Sequence, residues 1–232
     1  MSHKTKKKKL AIVSLTSCEG CQSTIIDLGR RFVDLLKRFE LAEMPLLEDK
    51  PDAPRYDIAV VTGSPLSQKE EEKLRKIRKK ARLLVALGTC ACLGGIPERG
   101  NPKIKPLSRA VKVDLEILGC PPTNSEVLEM LYQLNLGRIP RIPRRPVCFE
   151  CPLFAENCFL HQNKLCLGPI TLAGCGAICP KNNYRCEGCR GPIKDEKKEN
   201  IKNLTKLLKK IAQPREIKHL LQRFGLEDDL YR

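Results

Sequence analysis

Thirteen cysteines are the residues in this 232-residue chain whose type and spacing carry chemistry. Cys18 and Cys21 form a C-x-x-C pair, and Cys90, Cys92 and Cys120 follow singly. Eight more crowd into a short later segment: Cys148-x-x-Cys151, Cys158, Cys166, Cys175-x3-Cys179 and Cys186-x-x-Cys189. Thiols at this density either pair as disulfides or hold metal as thiolates. An odd count argues against a closed disulfide framework. The apolar run at residues 10–15 is too short for a signal peptide and reads as a strand. Arg30 and Arg31 lie inside a helical pattern, not near the start where a twin-arginine export signal belongs. No apolar run approaches the roughly 20 residues of a membrane span. The expected compartment is therefore the cytoplasm, where thiols stay reduced and dense cysteine means metal.

The elements that must position these thiols alternate over residues 10–136. Runs at 10–15, 57–61, 82–87 and 113–118 read as strands, with a weaker edge strand at 41–47 marked by Pro45. Ile25, Leu28, Phe32, Leu35, Leu36 and Phe39 recur at helical spacing. Ser67 and Glu70 make a capping-box signature ahead of Leu74, Ile77 and Ala81; Thr123 and Glu126 make another ahead of Val127, Met130, Leu131 and Leu134. This alternation predicts a parallel, doubly wound α/β sheet with helices on both faces. Such sheets bind ligands beyond the carboxyl ends of their strands. Cys18, Cys21, Cys90 and Cys120 all fall there, and four thiolates converging on one crevice suit a cuboidal 4Fe–4S cluster. Glycines at 20, 88, 94, 95 and 119 would let the backbone approach closely. Cys92 is the spare: a small buried residue, or a replacement for Cys90.

The pattern changes at Gly137. Pro140, Pro143 and Pro146 make residues 138–147 an extended linker. Residues 148–193 show little periodicity and are expected to bury no normal apolar core, so something other than packing must hold them. In sequence order the eight cysteines divide into Cys148, Cys151, Cys158, Cys166 and Cys175, Cys179, Cys186, Cys189. Zinc competes here, because paired C-x-x-C motifs also build four-cysteine ribbons. The loose spacing of Cys158 from Cys166, and the three residues between Cys175 and Cys179, favour iron–sulfur instead. Residues 194–232 read as a helical tail, with apolar positions at 204, 207, 208 and 211 and then Ile217, Leu220, Leu221 and Phe224 after Pro214. The tail is expected to cover the domain or a partner. His3, His161 and His219 read as surface residues.

A net charge of +16 raises nucleic acid as a partner. Much of it sits in Lys4, Lys6, Lys7, Lys8 and Lys9 and in Arg138, Arg141, Arg144 and Arg145. Aromatics at 4%, with no Trp, leave few platforms for stacking bases. Solvated basic ends, or docking to an acidic protein, account for the charge without nucleic acid.

The stretches Thr16-Ser-Cys-Glu-Gly-Cys21, Gly88-Thr-Cys-Ala-Cys-Leu-Gly-Gly95 and Gly119-Cys-Pro-Pro122 resemble the proximal-cluster motifs of nickel–iron hydrogenase small subunits. The 20-kDa subunit of respiratory complex I shares part of that pattern. From Pro146-Val-Cys-Phe-Glu-Cys151 through Cys166-Leu-Gly-Pro169 to Cys186-Glu-Gly-Cys-Arg-Gly-Pro192, the chain is similar to the small subunit of soluble, cytoplasmic sulfhydrogenases. The resemblance covers roughly residues 10–193. It implies a flavodoxin-like sheet domain, then a small irregular two-cluster domain and the helical tail.

By the same resemblance, Cys18, Cys21, Cys90 and Cys120 hold a proximal 4Fe–4S cluster facing a large subunit. Cys148, Cys151, Cys158 and Cys166 hold a distal one; Cys175, Cys179, Cys186 and Cys189 hold a medial one. Electrons would run between a nickel–iron site in that large subunit and a further redox subunit carrying flavin or iron–sulfur, which in the sulfhydrogenases belongs to a pyridine-nucleotide-handling module; the sequence leaves the final acceptor open among NAD(P), deazaflavin and ferredoxin. The chain shows no catalytic acid, base or nickel ligand set of its own. Three departures matter. Thr62 stands where many relatives have an acid, and Cys148 stands where exported relatives have a distal His. Cys175 adds a fourth thiol to a medial site that holds three cysteines and a 3Fe–4S cluster in several of them. Two rival readings are a subunit of a complex-I-like dehydrogenase, disfavoured by the eight extra cysteines, and a zinc-stabilised nucleic-acid-binding protein.

Overall fold

The structure, a computed structural model, describes residues 7–47, 53–95, 101, 104–193 and 198–222. His3, Lys4 and Lys6 of the basic tail, and Phe224, lie outside the described residues. The chain divides into two compact units, Met1–Arg141 and Ile142–Arg232, and the boundary falls within the proline- and arginine-rich stretch.

In the first unit the order is β1 (Lys8–Ser14), α1 (Gly20–Ile26), α2 (Arg30–Leu36), β2 (Phe39–Glu43), β3 (Tyr56–Thr62), α3 (Gln68–Lys80), β4 (Ala81–Leu87), α4 (Thr89–Leu93), β5 (Leu115–Ile117) and α5 (Asn124–Asn135). The five strands form one parallel sheet in the order β2-β1-β3-β4-β5, the doubly wound flavodoxin-like arrangement. Composition explains the placement. Leu10 to Val13, Ile58 to Val61 and Leu84 to Leu87 are continuous apolar runs, each residue at most 1% exposed. Only a parallel strand covered on both faces uses such a run. In β2, buried Phe39 is followed by exposed Glu40 and, two further on, buried Ala42, as befits an edge.

The structure departs from the local pattern in three places. The helix expected to run through Phe39 is two short helices, parted at Gly29, whose φ of 55° is left-handed and halts a helix. Phe39 itself opens β2, so that strand ends before Pro45. Ala81, expected to end the helical stripe of α3, opens β4 instead. Of the two capping boxes, only that of α5 is reciprocal between Thr123 and Glu126. At α3 the Ser67 hydroxyl accepts the Glu70 N–H, but the Glu70 carboxylate turns away to accept from Leu66 N–H (2.8 Å) and the Thr16 hydroxyl (3.0 Å). That second bond ties the loop after β1 to α3.

The second unit corrects an expectation. It contains 3₁₀ turns at Val147–Glu150 and Gly168–Ile170, then α6 (Ile178–Lys181), α7 (Lys198–Ile211) and α8 (Pro214–Gln222). The cysteine-rich segment does bury an apolar core. Val147, Phe159, Leu160, Leu165, Leu167 and Ile170 pack with Leu204 and Leu208 of α7 and with Ile217, Leu220 and Leu221 of α8. The missing apolar partners lie downstream, in two amphipathic helices, so the segment looks coreless only when read alone. The tail covers its own unit. No described helix is long and apolar enough to cross a membrane.

Two neighbouring leucines of α7 test that core. Leu208 is fully buried and Leu207 is 37% exposed. Leu208→Ala should destabilise the second unit by about 2–5 kcal/mol, as for other buried leucines. Leu207→Ala should stay within about 1 kcal/mol. Susceptibility of residues 142–232 to proteolysis against denaturant concentration measures both.

Candidate metal centres

The first centre is built at the carboxyl ends of the strands. The loop leaving β1 carries Cys18 and, at the start of α1, Cys21; the turn leaving β4 carries Cys90 in α4; the loop leaving β5 carries Cys120. Strand β3 contributes no cysteine but holds two of these loops. Leu15 N–H donates to Thr62 O (3.0 Å), Ser64 N–H donates to Thr16 O (3.0 Å), and the Ser64 hydroxyl donates to Cys90 O (2.6 Å). The loops of Cys90 and Cys120 are joined as well, through Thr89 N–H to Gly119 O (2.9 Å) and Gly119 N–H to the Thr89 hydroxyl (3.2 Å).

Space in front of the thiols is kept clear by glycine. Gly88 sits at φ 94°, and a Cβ there would lie 2.3 Å from Cys21 Sγ. A Cβ on Gly95, at φ 59°, would lie 3.1 Å from Cys90 Sγ. These positions form a cradle that any side chain would fill.

The electrostatics show that the four thiols feel one another. Burial pushes Cys21 up to about 12, and the nearby Cys120, Cys90 and Cys18 push in the same direction. Burial likewise raises Cys120 to about 11, reinforced by Cys90 and Cys18. Such thiols are protonated at neutral pH and give up their protons on binding a cation, which is how thiolate metal sites load. Cys18 is exposed; Cys21, Cys90 and Cys120 are partly buried.

Cys92 stands apart. It is buried, and its thiol donates to Ala86 O (3.4 Å) and Ile117 O (3.6 Å), linking the ends of β4 and β5. Between Cys18 and Cys21, Glu19 adopts a left-handed φ of 61°. Its Oε1 accepts from the hydroxyls of Ser14 (2.6 Å) and Ser17 (3.1 Å). Glu19 Oε2 and Thr62 Oγ1 are buried without a hydrogen-bond partner among the described residues.

In the second unit, Cys148, Cys151, Cys158 and Cys166 line one cavity, walled by Val147, Phe159, Leu160 and Pro180. Burial pushes Cys148 up to about 12, with Cys166, Cys151 and Cys158 adding to it. A Cβ on Gly168 would meet Cys148 Sγ at 3.2 Å and Cys166 Sγ at 3.6 Å, a second glycine cradle. Cys179 is raised by burial and then by Cys175 and Glu187. Cys186 is raised chiefly by burial, with Gly188 N–H opposing, and it feels both Cys166 and Cys189. It also lines the first cavity. Cys186 therefore adjoins both Cys189 and the cavity lined by Cys148, Cys151, Cys158 and Cys166, which sequence order alone does not reveal. His161 and His219 are exposed, and His161 Nδ1 pairs with Ala155 O.

Two polar residues here escape sequence reasoning. Glu150, between Cys148 and Cys151, accepts from Gly174 N–H and Gly176 N–H. Arg190, 1% exposed, donates through Nε to Leu172 O and Ala173 O (3.0 Å each). The only signal in the sequence is a charged residue directly beside a cysteine.

A family model described as NADH ubiquinone oxidoreductase, 20 kDa subunit, matches residues 18–134. The chain is 36% identical to sulfhydrogenase 2 subunit delta of Pyrococcus furiosus, over 94% of this chain and 99% of that one. It is 28% identical to a chain of a solved NAD+-reducing [NiFe]-hydrogenase, with a TM-score of 0.55 over 60% of this chain and 96% of the other. A Ni–Fe–Se hydrogenase chain from Desulfomicrobium baculatum, 18% identical, shares the fold with a TM-score of 0.64 over 82% of this chain and 96% of that one.

The cradle around Cys21 generates a paired test. Gly88→Ala combines a clash with the Cys21 thiol and a left-handed backbone, and should strip iron from the first unit. Gly29→Ala, also at positive φ but with nothing within 4 Å, should leave bound iron unchanged. Its backbone strain costs about 1–3 kcal/mol. Iron per chain after anaerobic purification separates the two.

Proposed function

The chain belongs to the NADH ubiquinone oxidoreductase 20 kDa subunit family as a hydrogenase subunit related to nickel–iron small subunits, and we propose that it is the electron relay of its complex. In this reading Cys18, Cys21, Cys90 and Cys120 hold a proximal 4Fe–4S cluster. Cys148, Cys151, Cys158 and Cys166 hold a distal one, and Cys175, Cys179, Cys186 and Cys189 a medial one. Iron–sulfur clusters supply one-electron storage at a potential set by burial and by hydrogen bonds to sulfur. Everything else is the work of the chain. Gly88, Gly95 and Gly168 leave room beside the thiols, and Ser64 and the Thr16–Glu70 bond fix the ligand loops.

One observation carries the reading: thiols from the ends of three parallel strands feel one another's charge, beside glycines at which a Cβ would meet Cys21 and Cys90. The hydrogen-cleaving nickel–iron site belongs to a partner large subunit. A further redox subunit, carrying flavin or iron–sulfur and linked to a nicotinamide, takes the electrons on, and the assembly works in the cytoplasm. Relatives named as sulfhydrogenase and as NAD+-reducing hydrogenase support this choice of partner class. A complex-I-like role would use the first centre alone. The second unit, with eight more cysteines in coupled sets, supports the hydrogenase reading instead.

Anaerobically purified chain, with its large subunit, should be brown and carry about twelve irons per copy, four for each thiolate set. Near-stoichiometric zinc with little iron would sink the reading and leave a zinc-stabilised protein in its place.

A second test separates two adjacent thiols. Cys92→Ala should retain that iron, because Cys92 donates to two carbonyls. Cys90→Ala should lose the proximal share. The reverse result would reassign the ligand.

A further inference from the structure

Cys175 sits in a loop flanked by residues at positive φ. Gly174 and Gly176 have φ of 125° and 64°, and Ala177, fully buried, has a left-handed φ of 51°. The chain enters firmly: Ala173 N–H donates to Arg145 O (2.8 Å), and Arg190 Nε donates to Leu172 O and Ala173 O. It leaves firmly through α6, where Lys181 N–H donates to Ala177 O (3.0 Å). Between these anchors the loop is gripped by a side chain from 24 residues upstream. Both Glu150 oxygens accept from Gly174 N–H, at 3.1 and 3.0 Å, and Oε2 also accepts from Gly176 N–H at 2.9 Å. The carboxylate thus straddles Cys175, holding the N–H of the residue before it and of the residue after it.

We propose that Glu150 is the positioning residue that presents Cys175 as the fourth ligand of the medial cluster, and so decides whether that site keeps its corner iron. The inference rests on the reading of Cys175 as a ligand. Glu150 itself is fixed by its neighbours: it closes the 3₁₀ turn Val147–Glu150, in which Cys151 N–H donates to Cys148 O (3.2 Å), and it lies between those two distal ligands. Iron bound to Cys148 and Cys151 therefore also fixes the clamp on Cys175. Glycine on both sides of a ligand leaves it free to swing, and a ligand that swings lets go of its iron. The clamp removes that freedom without placing a side chain near the sulfur, a duty that a bulkier loop would have to meet with steric walls.

The test compares five forms of the full chain co-purified anaerobically with its large subunit: wild type, Cys175→Ala, Glu150→Ala, Glu150→Leu and Glu150→Gln. Iron per chain and the electron paramagnetic resonance of the oxidised protein are read for each. Wild type should hold about twelve irons with no 3Fe–4S signal, and Cys175→Ala about eleven with a stoichiometric one. Glu150→Ala, and the volume-matched Glu150→Leu, should both reproduce the Cys175→Ala signature while the remaining clusters stay intact. Glu150→Gln, which keeps one acceptor oxygen, should recover most of the lost iron. A folded Ala or Leu variant with full iron and no 3Fe–4S signal overturns the proposal and leaves the ligand reading standing. Wild type that already shows the signal, unchanged by Cys175→Ala, overturns the ligand reading and the proposal together. Loss of all iron in both the Ala and the Leu variant would assign the carboxylate to folding, and equally overturns it.

Discussion

A thiol buried beside three others resists becoming the thiolate that metal chemistry needs. Desolvation raises its pKa, and each neighbour that ionises raises it further, as Cys21 among Cys18, Cys90 and Cys120 makes plain. Only a cation resolves that conflict, so the polypeptide must hold the sulfurs in place before the charge that binds them arrives. Much of the scaffold near the cysteines answers this one demand. Loops are cross-tied by hydrogen bonds, and glycines stand where a side chain would otherwise close the space.

The two units meet the demand by different means. The first uses the sheet. Parallel strands with continuous apolar runs are covered on both faces, their carboxyl ends gather along one edge of the sheet, and short loops from β1, β4 and β5 deliver the thiols there. Even β3, which delivers none, braces its neighbours through Thr62, Ser64 and the backbone of Thr16. The second unit has no such sheet. It relies on a small apolar core completed by α7 and α8, on the buried Arg190, and on carboxylate-to-backbone bonds such as that of Glu150. Cys186 lies near Cys166 as well as near Cys189.

What the sequence discloses follows from the range of the interaction. Strand runs, the α5 cap at Thr123 and Glu126, and the strand-end cysteines are local signals, legible within a few residues, and together they give the parallel sheet. The break at Gly29 was written in a single residue but masked by the apolar stripe running on to Phe39. The core of the second unit was invisible because its halves lie some forty residues apart, from Phe159 to Leu204 and beyond. Glu150 was invisible for the same reason: nothing in a Cys-Phe-Glu-Cys string says that the carboxylate reaches Gly174 and Gly176. Spacing groups cysteines, but it does not say which backbone holds them there.

Position 62, where the resemblance implies an acid, shows how a neutral residue suits its surroundings. Thr62 at the end of β3 pairs with Ser14 of β1, and the Ser14 hydroxyl holds the carboxylate of Glu19. Neighbouring strands lie about 4.8 Å apart. An acid at 62 would therefore be placed one strand from a residue already bonded to a buried carboxylate, and beside thiols that burial makes reluctant to ionise. Two like charges in that crevice would each raise the other's pKa and raise that of Cys21, on which Glu19 already acts in that direction. A neutral Thr avoids the second charge, while Glu19 keeps a carboxylate at this end of the sheet, delivered from the ligand loop rather than from the strand. Glu19 Oε2 and Thr62 Oγ1, both buried without a hydrogen-bond partner among the described residues, mark this end of the sheet, where Ser14 and Ser17 anchor the other oxygen of Glu19.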